Sequence, residues 1–426
     1  MSKSLRWRFG IMMFFEFLVW AAWFINLGPY MQHMGFSSSL VSAFFLASLI
    51  SPFIGGQIAD RYIPTQIYMA ISHIVGGILL IVLAKVSSFM LVWWILFIYS
   101  MIYAPTLGLS NSICFHHLKD KSTEFGAIRV WGSIGWVVAG LAMTFWWKYV
   151  HTYPMQWSEI AQLAEPMQSA QRAAYLNVES WLFIMPGIAS IIFGFYCFLL
   201  PHTPPSKESS NPWAFLEAFK LMKDKNFSMF MVISLVVSTQ LMFFFISIPV
   251  LMESLGMNRE NIPTAQVTAQ ITEILTLYFF LKWWLPKLGI RMCMALASLA
   301  WGLLYAAAAF GSVWWLVVIT QPFHGFAYVF FFVVGQMYVD TVAPVQIRAS
   351  AQSLITVVTI GLGMFLSTHW ATWITGLFTS ADGVVNYTGV FGVPFALLMV
   401  CMLAFLLFFK EPEQKEEELE QKVQAA

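Results

Sequence analysis

The sequence has 426 residues, of which 59% are hydrophobic and only 10% are charged. A soluble globular domain carries roughly a quarter charged residues, so this composition excludes such a domain and indicates a surface that mostly faces lipid. The formal net charge of +1 gives no sign of a nucleic-acid partner. The four cysteines lie in apolar stretches without metal-ligand spacing, so neither a disulfide framework nor a metal site is expected.

The predicted elements are long apolar segments, each close to the roughly 20 residues that a membrane-spanning helix needs. The N-terminal sequence enters the first segment without a small-residue cleavage site, so we interpret it as a retained helix and not as a removed signal peptide. About twelve spans are predicted. Their ranges in chain order are 9–31, 39–59, 66–86, 89–113, 125–148, 178–200, 227–252, 263–284, 290–310, 313–338, 347–376 and 386–409.

These spans predict an all-α integral membrane protein with two pseudo-symmetric six-helix halves, residues 1–200 and 227–410. A polar interval, 201–226, separates the halves; its Pro-Pro and Ser-Ser steps break helix, and its later part is suited to a short amphipathic helix. An acidic tail follows at 411–426. A short internal echo supports the two halves, because IRVWGSIG (128–135) and IRASAQSL (347–354) each open the fifth helix of a half.

Orientation follows from the lysine and arginine residues in the loops, which gather on the cytoplasmic side of membrane proteins. With the N-terminus in the cytoplasm, that side receives most of these cations, including Arg61 and Arg348. The opposite side receives little more than Lys85, Lys148, Arg172 and Arg259. We therefore expect a multi-pass protein of the bacterial inner membrane with both termini in the cytoplasm.

Ionisable and amide side chains inside the spans are functional candidates, because a charge in hydrocarbon costs several kcal/mol. Glu16 lies in the first span and Glu273 in the eighth, where Gln266, Gln270 and Glu273 share one helical stripe. The other candidates are Arg129, Ser133 and Trp136 in the fifth span, Gln240 in the seventh, and His324 and Tyr328 in the tenth. Structural alternatives stay open: Gln266 can bond between helices, His324 can pack, and Arg129 can extend to the headgroups.

This set of groups suits binding better than catalysis. The sequence has no nucleophile–base pair beside a Gly-rich turn, no HExxH and no phosphate-binding loop, so no enzyme is expected. Amides and aromatic faces suit a neutral, hydroxyl-rich, ring-bearing solute. Desolvation favours the protonated form of a carboxylate, which lets such a group take up and release a proton. The residues thus indicate proton-coupled transport of a polar organic molecule, and a channel or a sensor is disfavoured.

Several motifs resemble known families. GQIADR (56–61), after the second span, resembles the cytoplasmic loop signature of the major facilitator superfamily. More specifically, the chain is similar to the bacterial nucleoside:proton symporters of that superfamily. The resembling stretches are EFLVWAAWFINLGPYM (16–31), YAPTLGLSNSI (103–113), IRVWGSIGW (128–136), QITE (270–273) and IRASAQ (347–352).

The resemblance implies a central cavity that binds a nucleoside by alternating access, in a monomer with no cofactor. The substrate-binding positions that it implies are Arg129, Ser133, Trp136, Gln240, Gln270, Glu273, His324 and Tyr328. It also implies that Gly56, Asp60 and Arg61 lock one access state. Two departures stand out: Val329 replaces a frequent aspartate, and Phe243 replaces an asparagine. They move proton coupling to Glu273, with Glu16 or His324 as helpers, and keep open a sugar or glycoside carrier without strict proton coupling.

Overall fold

The structure, a computed structural model, describes residues 3–118, 121–204, 219–344 and 348–411. At positions 38, 52–61, 121–124, 126, 348–350 and 353 it describes the backbone alone. Within these ranges the regular structure is helical, apart from an isolated antiparallel bridge between Thr379 and Val385. The predicted all-α class is confirmed. Of the polar interval, residues 201–204 and 219–226 are described and include a 3-10 helix, Phe219–Lys223, while most of the predicted amphipathic helix lies outside the described residues.

The helices of the first part of the chain are α1 (Lys3–Phe24), α2 (Leu27–Met34), α3 (Ser42–Arg61), α4 (Thr65–Leu83), α5 (Phe89–His117), α6 (Lys121–Phe145), α7 (Trp157–Ile160), α8 (Met167–Glu179) and α9 (Trp181–Cys197). Those of the second part are α10 (Lys225–Ser238), α11 (Ile248–Ser254), α12 (Ile262–Leu275), α13 (Leu281–Phe310), α14 (Trp314–Thr320), α15 (Pro322–Tyr328), α16 (Val334–Val342), α17 (Arg348–Thr356), α18 (Met364–Leu377) and α19 (Tyr387–Phe408).

In the described part of the chain, five π-helical segments interrupt or extend these helices: Trp146–Val150, Phe243–Ser247, Thr276–Phe280, Val329–Val333 and Val357–Gly363. Such segments are rare and occur often at functional sites. Three of them begin within three residues of Gln240, Glu273 or Tyr328. The helices that carry predicted binding residues in the second part of the chain are therefore irregular next to those residues.

Ten stretches of the described chain are long and apolar enough to cross a membrane, fewer than the predicted twelve. One of them, Arg259–Phe310, has 52 residues and includes Gly289, whose φ of 74° and ψ of 174° are not helical. The apolar stretch Ser39–Ser51 falls in the second predicted span, and the side chains that follow it in α3 lie outside the described residues. The prediction of a polytopic helical protein is confirmed, although the helix count is not matched one to one.

The chain folds into two compact units. The first contains Met1–Lys207 together with Phe245–Val267, and the second contains Glu208–Phe244 together with Thr268–Ala426. Small residues let helices approach closely in the first unit: a Cβ added to Gly77 of α4 would lie 2.5 Å from the carbonyl oxygen of Gly187 on α9. In the second unit α13 packs along α19.

The outer face of α9 shows how the first unit meets lipid. Ile188, Ile192 and Phe195 follow one another at helical spacing and are all exposed, whereas the opposite side of the helix is buried. Since a soluble monomer rarely exposes so continuous an apolar stripe, this face is suited to the hydrocarbon core of a bilayer.

Candidate functional site

The first unit holds three predicted binding residues on α6. The guanidinium carbon of Arg129 lies 4.0 Å from the centroid of the Phe17 ring, a cation–π contact with α1. The Trp136 indole meets the Trp20 ring edge-on, with 5.3 Å between the centroids. Ser133 is buried between these two positions of α6. The predicted residues of the first unit therefore place a guanidinium group and an indole against aromatic side chains of α1.

Glu16, predicted as a proton-coupling residue, lies on another side of α1 and is fully buried. Its Oε1 accepts a hydrogen bond from the Thr106 hydroxyl at 2.6 Å, and its Oε2 lies 3.1 Å from Nε2 of His73 on α4. The Tyr103 hydroxyl donates to the Glu16 carbonyl oxygen at 2.7 Å. The carboxylate is thus held by α4 and α5 inside the first unit.

The hydrogen bonds of His73 fix where its protons are. The Ser190 hydroxyl donates its single hydrogen to the His73 carbonyl oxygen at 2.8 Å, so its oxygen can only accept from His73 Nδ1, which lies 3.2 Å away. Nδ1 therefore carries a hydrogen. The contact between Nε2 and Glu16 then needs one proton, located on either the carboxyl group or the imidazole, because otherwise a lone pair would face a carboxylate. Glu16 and His73 therefore form a buried carboxyl–imidazole pair.

In the second unit the predicted stripe on α12 forms a direct contact, because the Gln270 side-chain amide donates to the Glu273 carboxylate. Both side chains are partly buried. A Cβ at Gly325 of α15 would collide with the backbone of Ala269 and Glu273, so α15 lies directly against this stretch of α12. The predicted eighth-span and tenth-span residues are therefore brought onto neighbouring helices.

Gln240, which follows α10, is buried and fixed by three side-chain contacts. Its Nε2 donates to the Val236 carbonyl oxygen at 3.1 Å and to the Thr239 hydroxyl at 2.6 Å, and its Oε1 accepts from the Trp370 indole at 3.2 Å. An amide oxygen has two acceptor positions, and among the described residues Trp370 occupies one of those of Oε1. Gln240 can therefore accept one hydrogen bond from a solute hydroxyl or N–H group.

His324 on α15 is buried and stacks on the Phe244 ring, with 3.5 Å between the centroids. Its Nδ1 accepts a hydrogen bond from the Trp301 indole N–H at 3.0 Å. An indole can only donate, so Nδ1 has no proton and the ring is neutral with its hydrogen on Nε2. This arrangement suits hydrogen-bond donation by His324 and does not suit proton carriage by it. Tyr328 lies one turn on, 6.3 Å from His324 between ring centroids.

The two departures from the family pattern are apolar, buried positions. Val329 is fully buried, and Phe243 packs its ring against Tyr305 and Phe391, with centroid distances of 6.2 and 6.3 Å. The GQIADR motif was expected in a loop, but its residues Gly56, Asp60 and Arg61 lie in the last turns of α3. The structure describes only the backbone at these three positions.

Sequence reasoning missed several residues that the structure brings to these sites: His73, Trp301 and Trp370. His73 carried the same signal as Glu16, an ionisable side chain inside a span. The two tryptophans carried no such signal, because their roles depend on contacts across helices. A buried charged cluster of Glu179, Arg259, His33 and Glu253 was also missed, since these residues lie at span ends where solvation is the ordinary expectation.

The apolar helices and the buried polar sets within them define a membrane transporter with the major facilitator fold. The chain belongs to the nucleoside H+ symporter family, whose model matches residues 1–164 and 159–414. It is 28% identical over 426 residues to the putative nucleoside transporter YegT of Escherichia coli, covering 96% of this chain and 94% of that protein. It is 27% identical over 439 residues to the nucleoside permease NupG of Escherichia coli, covering 96% of each.

The fold agrees with this assignment. A crystal structure of the nucleoside transporter NupG superposes on this chain with a TM-score of 0.80 and 25% identity, covering 95% of this chain and all of that one. The predicted family and fold are confirmed.

Proposed function

We propose that this protein carries a nucleoside across the membrane together with a proton. Membership of the nucleoside H+ symporter family supports this function. The observation that carries the proposal is the contact between Gln270 and Glu273, an amide held on a carboxylate within a membrane helix. Such a pair combines hydrogen bonding to a polar solute with a group that can bind a proton.

The polar groups match the parts of a nucleoside. Glu273 can accept hydrogen bonds from ribose hydroxyls, and the single remaining acceptor position of Gln240 suits a hydroxyl or a base N–H. His324 in its Nε2–H form donates to a ring nitrogen or carbonyl of the base. We assign substrate binding to the predicted residues Arg129, Ser133, Trp136, Gln240, Gln270, Glu273, His324 and Tyr328.

We assign proton coupling to Glu273, with Glu16 as a second carrier. The buried contact between Glu16 and His73 supports the second assignment, since a carboxyl group and an imidazole at hydrogen-bond distance can bind a proton. Val329 cannot carry a proton, and His324 is neutral when it accepts from Trp301. The carboxylates of Glu16 on α1 and Glu273 on α12 are therefore the two carriers that we propose.

The remaining assignments follow the same transport cycle. Gly56, Asp60 and Arg61 are proposed to stabilise one access state at the cytoplasmic end of α3. We propose a monomer in the bacterial inner membrane with both termini in the cytoplasm, on the strength of its lysine and arginine distribution. A transport cycle of this kind has no catalytic residues.

The substrate class is tested with purified protein, by measuring thermal stabilisation by nucleosides, free bases and sugars at two pH values. Nucleosides alone should raise the melting temperature in a saturable way, and labelled uridine or adenosine should enter a transport-deficient host. Stabilisation by sugars or glycosides, with no saturable nucleoside uptake, would refute the nucleoside assignment.

The coupling residues are tested with Glu273→Gln and Glu16→Gln in proteoliposomes that carry a proton gradient. Each variant should lose accumulation against a nucleoside gradient while keeping nucleoside counterflow, because counterflow needs no net proton movement. The control is Asp382→Asn, which alters an exposed loop carboxylate and should behave like the parent protein. Uphill accumulation by a variant at the parent level would remove that residue from the coupling role.

A further inference from the structure

A second ionisable cluster, separate from Glu16 and His73, lies near the C-terminal end of α2. It joins His33 of α2 and Glu179 of α8 to Glu253 of α11 and Arg259, all within the first unit. Segment 245–267 belongs to this unit although it follows the central interval in sequence. The cluster therefore ties a segment from the second half of the chain to helices from the first half.

Arg259 is the fully buried centre of the cluster. Its Nε donates to Glu179 Oε1 at 2.9 Å, while its terminal nitrogens donate to the side-chain and backbone oxygens of Asn26 at 3.3 and 3.2 Å. The Trp147 ring lies 4.7 Å from the guanidinium carbon. All of these partners precede the central interval in sequence, whereas Arg259 follows it. If Arg259 moved away, the buried carboxylate of Glu179 would lose its ion pair.

His33 stands between two carboxylates and is itself buried. Its Nδ1 lies 2.8 Å from Glu179 Oε2, and its Nε2 lies 3.3 Å from Glu253 Oε1. An ionised carboxylate only accepts hydrogen bonds, so Nδ1 donates to Glu179, while Nε2 lies within ion-pair distance of the Glu253 carboxylate without forming a hydrogen bond. This geometry fits the doubly protonated imidazolium form, since a neutral ring would direct a lone pair at one carboxylate.

The other ionisable groups around His33 do not change this balance. The Tyr175 hydroxyl lies 3.4 Å from Glu253 Oε1 and its ring meets the imidazole edge-on. Burial raises the pKa of the Tyr153 phenol well above its usual range, so this side chain stays neutral. Arg172 is exposed and donates to the His33 carbonyl oxygen at 3.3 Å, with its charge in solvent.

A charge count then gives the protonation state that the closed cluster needs. Glu179 and Glu253 contribute two negative charges and Arg259 one positive charge, so a proton on His33 makes these four side chains neutral together. An unbalanced buried charge is strongly destabilising. We propose that His33 is a further proton-binding site, whose proton holds segment 245–267 against α2 and α8 by neutralising this cluster.

The inference rests on the proposed function for its place in the cycle. The proposed topology puts the cluster on the non-cytoplasmic side, where alternating access requires the helix ends to separate in one state. In the closed form the cluster is assembled and His33 carries a proton. In the open form the helix ends are apart and this proton is released. Lower pH therefore favours the closed form, and one linked proton changes the ratio of closed to open forms by up to about tenfold per pH unit.

The test measures the distance between spin labels on cysteines placed at the exposed positions Ser37 and Asn258, as a function of pH, without substrate or gradient. Closed populations should fall as pH rises in the parent protein. His33→Gln should be open across the range, because the cluster keeps a negative charge. Adding Glu253→Gln to His33→Gln restores neutrality, so this double variant should be closed and insensitive to pH.

The matched control is His369→Gln, the same change at an exposed histidine of the second unit, which should keep the parent titration. The inference is overturned if His33→Gln titrates like the parent protein, or if the double variant is as open as the single one. Melting temperatures of all variants verify folding. Because no nucleoside is present, failure of the nucleoside assignment would leave these distances unchanged.

Discussion

At the residue scale, the orientation of Gln240 depends on one indole. Trp370 supplies the hydrogen bond to Oε1 that leaves a single acceptor position toward a solute. Trp370→Phe removes this donor and keeps the ring, so the amide can rotate. We expect the nucleoside KM to rise about threefold to tenfold, the equivalent of one hydrogen bond.

The control for that prediction is Trp373→Phe, one turn further along α18, where the ring is 55% exposed. Its KM should equal that of the parent protein in the same uptake measurement. Equal KM values for both variants would show that the Trp370 contact does not position Gln240.

Residue-scale prediction from sequence succeeded where the signal was local. Gln270 and Glu273 lie three residues apart, and helical spacing alone placed them on one face, where they are bonded. Trp370, which lies 130 residues from Gln240, is on another helix, and so are the hydrogen-bond partners of the Glu16 and His324 side chains. No periodicity within one helix carries that information, so Trp370, His73 and Trp301 were not predicted.

At the element scale, Gly325 determines how closely α15 approaches α12. A Cβ at this position would meet the backbone of Ala269 and Glu273, which cannot move as a flexible side chain can. Gly325→Ala should therefore separate the two helices, reduce nucleoside uptake and destabilise the protein by about 1–3 kcal/mol, measured as a lower melting temperature.

Gly392→Ala in α19 is the matched control, because a Cβ there meets nothing within 4 Å. Alanine is the better helix former by about 0.5–1 kcal/mol, so this variant should be unchanged or slightly more stable. A Gly325→Ala protein as stable and active as Gly392→Ala would disprove the close approach of α15 and α12.

Apolar segment length predicted the helices well because one physical quantity, the bilayer thickness, sets it. The sequence did not predict where these helices are interrupted. Gly289 turns the chain between two apolar stretches, and the following backbone N–H groups of Ile290 and Arg291 donate to the Glu411 carboxylate. That cap comes from the far end of the chain, so only the tertiary structure shows why the helix restarts there.

At the scale of the whole molecule, the two units do not follow the sequence halves, because segment 245–267 packs with the first unit. Hydropathy divides a chain at its longest polar interval, whereas packing follows contacts such as those of Arg259. Cations at span ends were counted as solvated loop charges, although Arg259 is fully buried. The distribution of lysine and arginine between loops depends only on where each charge lies along the chain, and it gives no information about the contacts of that charge.

The membrane orientation is the whole-molecule property that the loop charges predict most directly. All four native cysteines are buried, so they give little background with a membrane-impermeant maleimide. In intact spheroplasts a cysteine at exposed Ser37 should react, whereas one at exposed Lys287 should react only after permeabilisation. The reverse pattern would place the N-terminus outside the cytoplasm, and it would also move the His33 cluster to the cytoplasmic face.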